Sequence, residues 1–100
     1  MTGLSARAAA WAAGLSLDDA PATVVESTKL RILDSVGVML AARSLDLVAA
    51  AKRAALAVDR GAGARILGDA EDVSPMAAAF VNGVMTAVLE FDDTHIESFI

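Results

Sequence analysis

The sequence predicts a mainly α-helical fold of four to five packed helices with one short strand or hairpin, and three observations carry that prediction. Hydrophobic residues make up 56% of the chain and charged residues 21%, a globular balance. Alanine, the best helix former, dominates the apolar set, and the aromatic residues are few: Trp11, Phe80, Phe91 and Phe99. Apolar positions also recur at steps of three and four along most of the chain. At 100 residues the chain suits one domain at most. So short a chain buries only about two-thirds of its unfolded surface. Close-packed helices with small side chains between them, supported by something outside the chain, are therefore expected.

The elements follow in order. Leu4 to about Leu15 reads as a short amphipathic helix, stopped by Gly14 and the turn-like Leu17-Asp18-Asp19. Arg7 followed by an alanine-rich stretch resembles a signal peptide poorly, and the helix is the better reading. A second helix starts near Pro21, with Asp19 as its cap, and runs to about Arg43. Val25, Thr28, Ile32, Val36 and Leu40 share one stripe of it. A third spans Asp46 to Arg60, with Leu47, Val48, Ala51, Ala54, Ala55 and Val58 on the apolar face and Lys52 and Arg53 on the wet one; Gly61 and Gly63 end it. Ala64 to Gly68 is extended, and after the turn 69–72 Val73 pairs back as a small hairpin.

Ser74-Pro75 announces a fourth helix, serine as cap and proline in the first turn, running to about Glu90. It is apolar on nearly every side, which predicts burial on nearly every side. Asn82, Thr86 and Glu90 form its one polar line, and Gly83 is read as a place of close approach by another backbone. A helix this apolar also predicts self-association. Thr94 to Glu97 matches a capping box for a fifth helix, and the sequence stops soon after, inside an apolar run, as a truncated domain would.

Charge is unevenly spread. Up to Arg65 there are eight basic and six acidic residues, and beyond it seven acidic ones with no Lys or Arg, for a net −5. No basic stripe exists for nucleic acid. No apolar run reaches the roughly 18 residues of a membrane span. The absence of cysteine excludes disulfides and thiolate metal sites and fits a cytoplasmic protein. Gly61-Ala62-Gly63 follows a helix and precedes a strand, the reverse of a phosphate loop.

The densest chemical cluster is Glu90-Phe91-Asp92-Asp93-Thr94-His95, with three carboxylates and the single histidine. Acids at a helix C-terminus are disfavoured by a few tenths of a kcal/mol to about 1 kcal/mol each. Crowding and burial raise carboxyl pKa values, and histidine titrates near neutrality, so the cluster suits a general acid and base. Glu90, Asp93 and His95 are the catalytic candidates, and Thr94, Asn82 and Thr86 the substrate-binding ones. Other readings stand beside this one. Asp92 and Asp93 also suit solvated helix caps, the Asn82–Glu90 line an exposed helix face, and the Asp-Asp-x-His run a divalent cation, although no metal demands that spacing.

Ser74-Pro-Met-Ala-Ala-Ala-Phe-Val-Asn-Gly83, followed by Leu89-Glu-Phe-Asp-Asp-Thr-His95, resembles the signature stretch of the MmgE/PrpD family, and Leu33 to Ala42 resembles its second-helix segment. The resemblance covers nearly the whole chain, in order, and corresponds to the first quarter or so of a typical member. It implies a large all-helical domain begun by this segment, a smaller α+β lid, homodimers, and proton transfer on small polycarboxylates without a metal cluster or organic cofactor. Activities in the family include 2-methylcitrate dehydratase, cis-aconitate decarboxylase and iminodisuccinate epimerase; the first, a lyase, is the leading expectation here. An epimerase, a decarboxylase or a non-catalytic helical interaction module are the alternatives. By resemblance Glu90 holds an active-site position where aspartate is usual, with a reach one methylene longer. Thr94 matches a substrate-contacting threonine, Asp93 and His95 match the motif, and Asn82 and Gly83 match the helix before it. The family's further histidine and lysines come from later segments, so the site is expected to be completed by the rest of the chain or by a second copy.

Overall fold

The computed structural model describes residues 3–91. Among them are four α-helices and a two-stranded antiparallel hairpin, in the order α1 (Leu4–Gly14), α2 (Ala22–Ala42), α3 (Asp46–Val58), β1 (Ala64–Arg65), β2 (Asp72–Val73) and α4 (Pro75–Ala87). The mainly helical prediction and the hairpin are both met. The fifth helix expected at Thr94 lies outside the described residues. The chain divides into two compact units, one ending at Leu30 and the other beginning at Arg31.

In the first unit, α1 buries none of its side chains. A 3₁₀ turn, Leu17–Asp19, follows it. Here the expectation for Asp19 is corrected. Its carboxylate accepts from the Ser16 N–H at 3.3 Å, so it closes the preceding turn instead of capping α2. The carbonyl of Pro21 accepts the first bonds of α2, from Val24 and Val25. Farther along α2, the Thr28 hydroxyl returns to the Val24 carbonyl at 2.8 Å, a bond that satisfies a β-branched polar residue within a helix.

The second unit holds the core: Ala42 from the end of α2, Val48 from α3, Ile66 and Val73 from the hairpin, and Ala77, Ala78, Val81 and Met85 from α4. Ala64 pairs with Val73 and Arg65 with Asp72. The hairpin alone is too short to be stable, and its apolar residues are held by the helices. Helix α3 turns differently from the expected face. Leu47 and Val58 are exposed, Val58 at 83%. Lys52, placed on the wet side by the sequence, is half-buried, because its Nζ donates to Asp69 at 2.6 Å. A distant acid thus overrides the local pattern.

The α3–α4 junction is tied by one carboxylate. Asp59 accepts from the Gly61 N–H at 3.0 Å and from the buried Ser74 hydroxyl, and both bonds hold its pKa below the usual 3.8. Gly61 packs tightly here, since a Cβ on it would stand 3.0 Å from Cβ of Ser74. Helix α3 itself stops at Val58, before the two glycines expected to end it.

Candidate functional site

Helix α4 carries the described part of the site. Ser74 caps it as predicted: its Oγ accepts from the Ala77 N–H at 3.0 Å, and Pro75 follows. Buried residues fall on one face, Ala77, Ala78, Val81 and Met85. Met76 and Phe80 are exposed, so the burial expected on nearly every side occurs on one. Gly83 is also corrected. A Cβ there meets nothing within 4 Å among the described residues, so no backbone crowds it.

Asn82 faces the hairpin. Its Oδ1 accepts from the Leu67 N–H at 2.9 Å, and its Nδ2 donates to the Arg65 carbonyl at 3.1 Å. One amide side chain thereby satisfies two backbone groups that the two-residue strand leaves open. The Thr86 hydroxyl donates to the Asn82 backbone carbonyl at 2.9 Å. Both residues are half-buried. In this arrangement Asn82 fixes α4 against β1, and Thr86 closes a polar turn on the same helix.

Glu90 leaves the line of three. The helix ends at Ala87, and the chain turns through Val88 and Leu89. The spacing of four from Thr86 therefore no longer sets the direction of Glu90. Its N–H donates to the Ala87 carbonyl at 2.9 Å, and its φ is +54°. It is the one non-glycine residue with positive φ among those described. That left-handed conformation costs an L-residue with a Cβ roughly 1 kcal/mol, and helices usually place glycine in it just past their ends. A strained residue held in place is a mark of functional sites. The side chain is exposed.

Asp93, Thr94 and His95 lie outside the described residues. Among the described residues no group of three or more acids and imidazoles gathers as metal ligands. No described helix is long and apolar enough to cross a membrane. Sequence reading missed the cluster in which Arg43 and Lys52 share Asp69, because its members are 17 and 26 residues from the acid and leave no local pattern.

Two curated relatives match nearly the whole chain. The cis-aconitate decarboxylase of Aspergillus terreus (strain NIH 2624 / FGSC A1156) is 28% identical over 97 residues, which is 97% of this chain and 20% of the relative. A second Aspergillus terreus protein of the same name is 27% identical over the same shares. The chain thus spans about a fifth of the length of these relatives. No solved structure matches it. The MmgE/PrpD N-terminal domain matches residues 6–100, and the chain belongs to the MmgE/PrpD family.

Proposed function

We propose that this chain forms the first segment of a lyase that moves a proton beside a carboxylate of a small polycarboxylate, with Glu90 as a proton carrier. The observation that supports this reading most is the strained, exposed glutamate at the end of α4, in a chain of the MmgE/PrpD family. Decarboxylation stands first because two relatives carry the name cis-aconitate decarboxylase. In that reaction a C–C bond breaks to release CO₂. The electron pair left behind spreads into the conjugated acid, and a protonated carboxyl returns a proton to carbon. The dehydratase reading, which the sequence put first, uses the same group in reverse: the carboxylate takes a proton from the carbon beside the substrate carboxylate, the C–O bond breaks, and the hydroxyl leaves as water with a proton from a second acid. Thr94 is proposed to hold a substrate carboxylate, with Asp93 and His95 sharing the proton traffic. Asn82 and Thr86, given to substrate by the sequence, use their polar atoms on the hairpin and on α4 itself. Their proposed part is to hold the helix that carries Glu90. Lysines and a further histidine from the remainder of the protein, and a second copy, complete the proposed assembly.

The test is a chimera in which this chain replaces the matched first fifth of the Aspergillus terreus decarboxylase. It is followed by proton NMR in heavy water with cis-aconitate, 2-methylcitrate and iminodisuccinate. Turnover of one of these, with deuterium entering beside a carboxylate and a drop of roughly 100-fold or more on Glu90→Gln, is the expected outcome. Equal turnover by the folded Glu90→Gln chimera removes Glu90 from the chemistry. A folded chimera inert toward all three favours a non-catalytic helical module.

A further inference from the structure

The exposed side of α4 is as apolar as its buried side. Met76 and Phe80 are 61% and 54% exposed, and Ala79, Gly83 and Ala87 continue the same face. The helix carries no charged residue, and its two polar side chains are engaged elsewhere, Asn82 on the hairpin and Thr86 on the Asn82 carbonyl. Beside Met76 and Phe80 stands Val58 of α3, 83% exposed. A cavity of about 200 Å³ with apolar walls opens between these three side chains. Asp59, at its edge, has its carboxylate bonded to the Gly61 N–H and the Ser74 hydroxyl. A helix that is apolar on opposite sides is one that is covered on both.

The size of the face selects what covers it. The face presents on the order of a few hundred Å², the range of the largest apolar patch on an ordinary monomer. A stable dimer buries roughly 800 Å² on each partner, so this face alone falls short of what a second copy needs. A segment joined covalently to the same chain is held at an effective concentration on the order of mM and docks on far less area. The chain matches 20% of each Aspergillus terreus relative, so about four-fifths of their length lies outside the match. The shape favours a helix as the covering element. The small side chains of Ala79, Gly83 and Ala87, spaced by four, leave a shallow groove into which the ridge of a second helix fits.

We propose that in the full-length protein this face is covered by an apolar helix from the part of the protein that corresponds to the unmatched length of the relatives, with one of its side chains seated between Val58, Met76 and Phe80. This docking surface does not rest on the role given to Glu90.

The test is thiol alkylation of the full-length protein carrying Ala79→Cys or Ala62→Cys, each read at its own peptide by mass spectrometry. Ala62 lies in the exposed loop after α3 and serves as the control. The Ala79→Cys thiol reacts at least about tenfold more slowly in the native protein than in urea, whereas the Ala62→Cys thiol changes by less than about threefold. A photo-crosslinking benzoylphenylalanine in place of Phe80 joins to an apolar segment beyond residue 100 of the same molecule. Ala79→Glu keeps a good helix former near the start of α4, so at an open position it would leave the melting temperature level or raise it. Under an apolar helix it lowers the melting temperature by several degrees. Equal native reactivity of the two thiols, or an Ala79→Glu protein that melts no lower than the parent, would overturn the proposal. So would protection that disappears on roughly hundredfold dilution, which would give the face to a second copy, or a crosslink to residues 92–100, which would give it to this segment's own end.

Discussion

The two ends of α4 are built on opposite terms. At its start every local choice agrees. Ser74 caps, Pro75 presets the first turn, Asp59 receives the serine hydroxyl, and the buried serine has partners for both its roles. At its finish no glycine is available, and a glutamate takes the left-handed turn in the open. Local partners satisfy the first end, and the second carries the glutamate proposed above as the proton carrier. The contrast shows how a helix can be anchored at one end so that the other tolerates a conformation that local preference opposes.

Breaking the anchored face gives the largest effect. Met85→Ala empties a fully buried position and is expected to cost about 2–5 kcal/mol, read by urea denaturation. A loss under about 1 kcal/mol would mean that the face is not anchored. Asn82→Ala leaves the Leu67 N–H and the Arg65 carbonyl without their partner and is expected to cost about 1–2 kcal/mol. Ser74→Ala removes the cap and is expected to cost about 1 kcal/mol. Glu90→Gly sharpens the comparison by reversing the sign: relief of the left-handed strain raises stability by up to about 1 kcal/mol while the proposed chemistry is lost. A destabilised Glu90→Gly would break the comparison.

The smallest effect is with pH. The Asp69 carboxyl is held below its usual 3.8, first by its bond to Lys52, and Asp59 is held down by Ser74 and Gly61. Depressed folded values mean that these contributions are complete above about pH 4 and fade as pH falls through the folded pKa values. Thermal melts between pH 7 and pH 2 should show the loss confined to the acid end, reduced in Asp69→Asn.

The start of α4 was legible to the residue, because Ser-Pro is a local signal whose physics needs no partner. The hairpin was legible for a similar reason, bounded by glycines and a polar turn. The end of α4 was not, since the apolar pattern runs through Leu89 and nothing in it marks a glutamate with positive φ. Lys52 was misplaced because its position is set by Asp69, 17 residues away, and Gly83 was given a neighbour that is absent among the described residues. Of the candidate site, Asp93, Thr94 and His95 lie outside the described residues, and Glu90 leaves the helical line expected from its spacing. The commitment of Asn82 to the hairpin needed the fold.

The Asn82 bonds carry one more consequence. The Arg65 carbonyl closes β1 and the Leu67 N–H belongs to the turn after it, and here one side-chain amide occupies both. The end of β1 is therefore covered by the Asn82 side chain. A bare strand edge is a template for another chain, and such edges seed aggregation. Asn82→Ala uncovers both groups at the end of β1, and light scattering on warming is expected to show aggregation of that variant before its helical signal is lost.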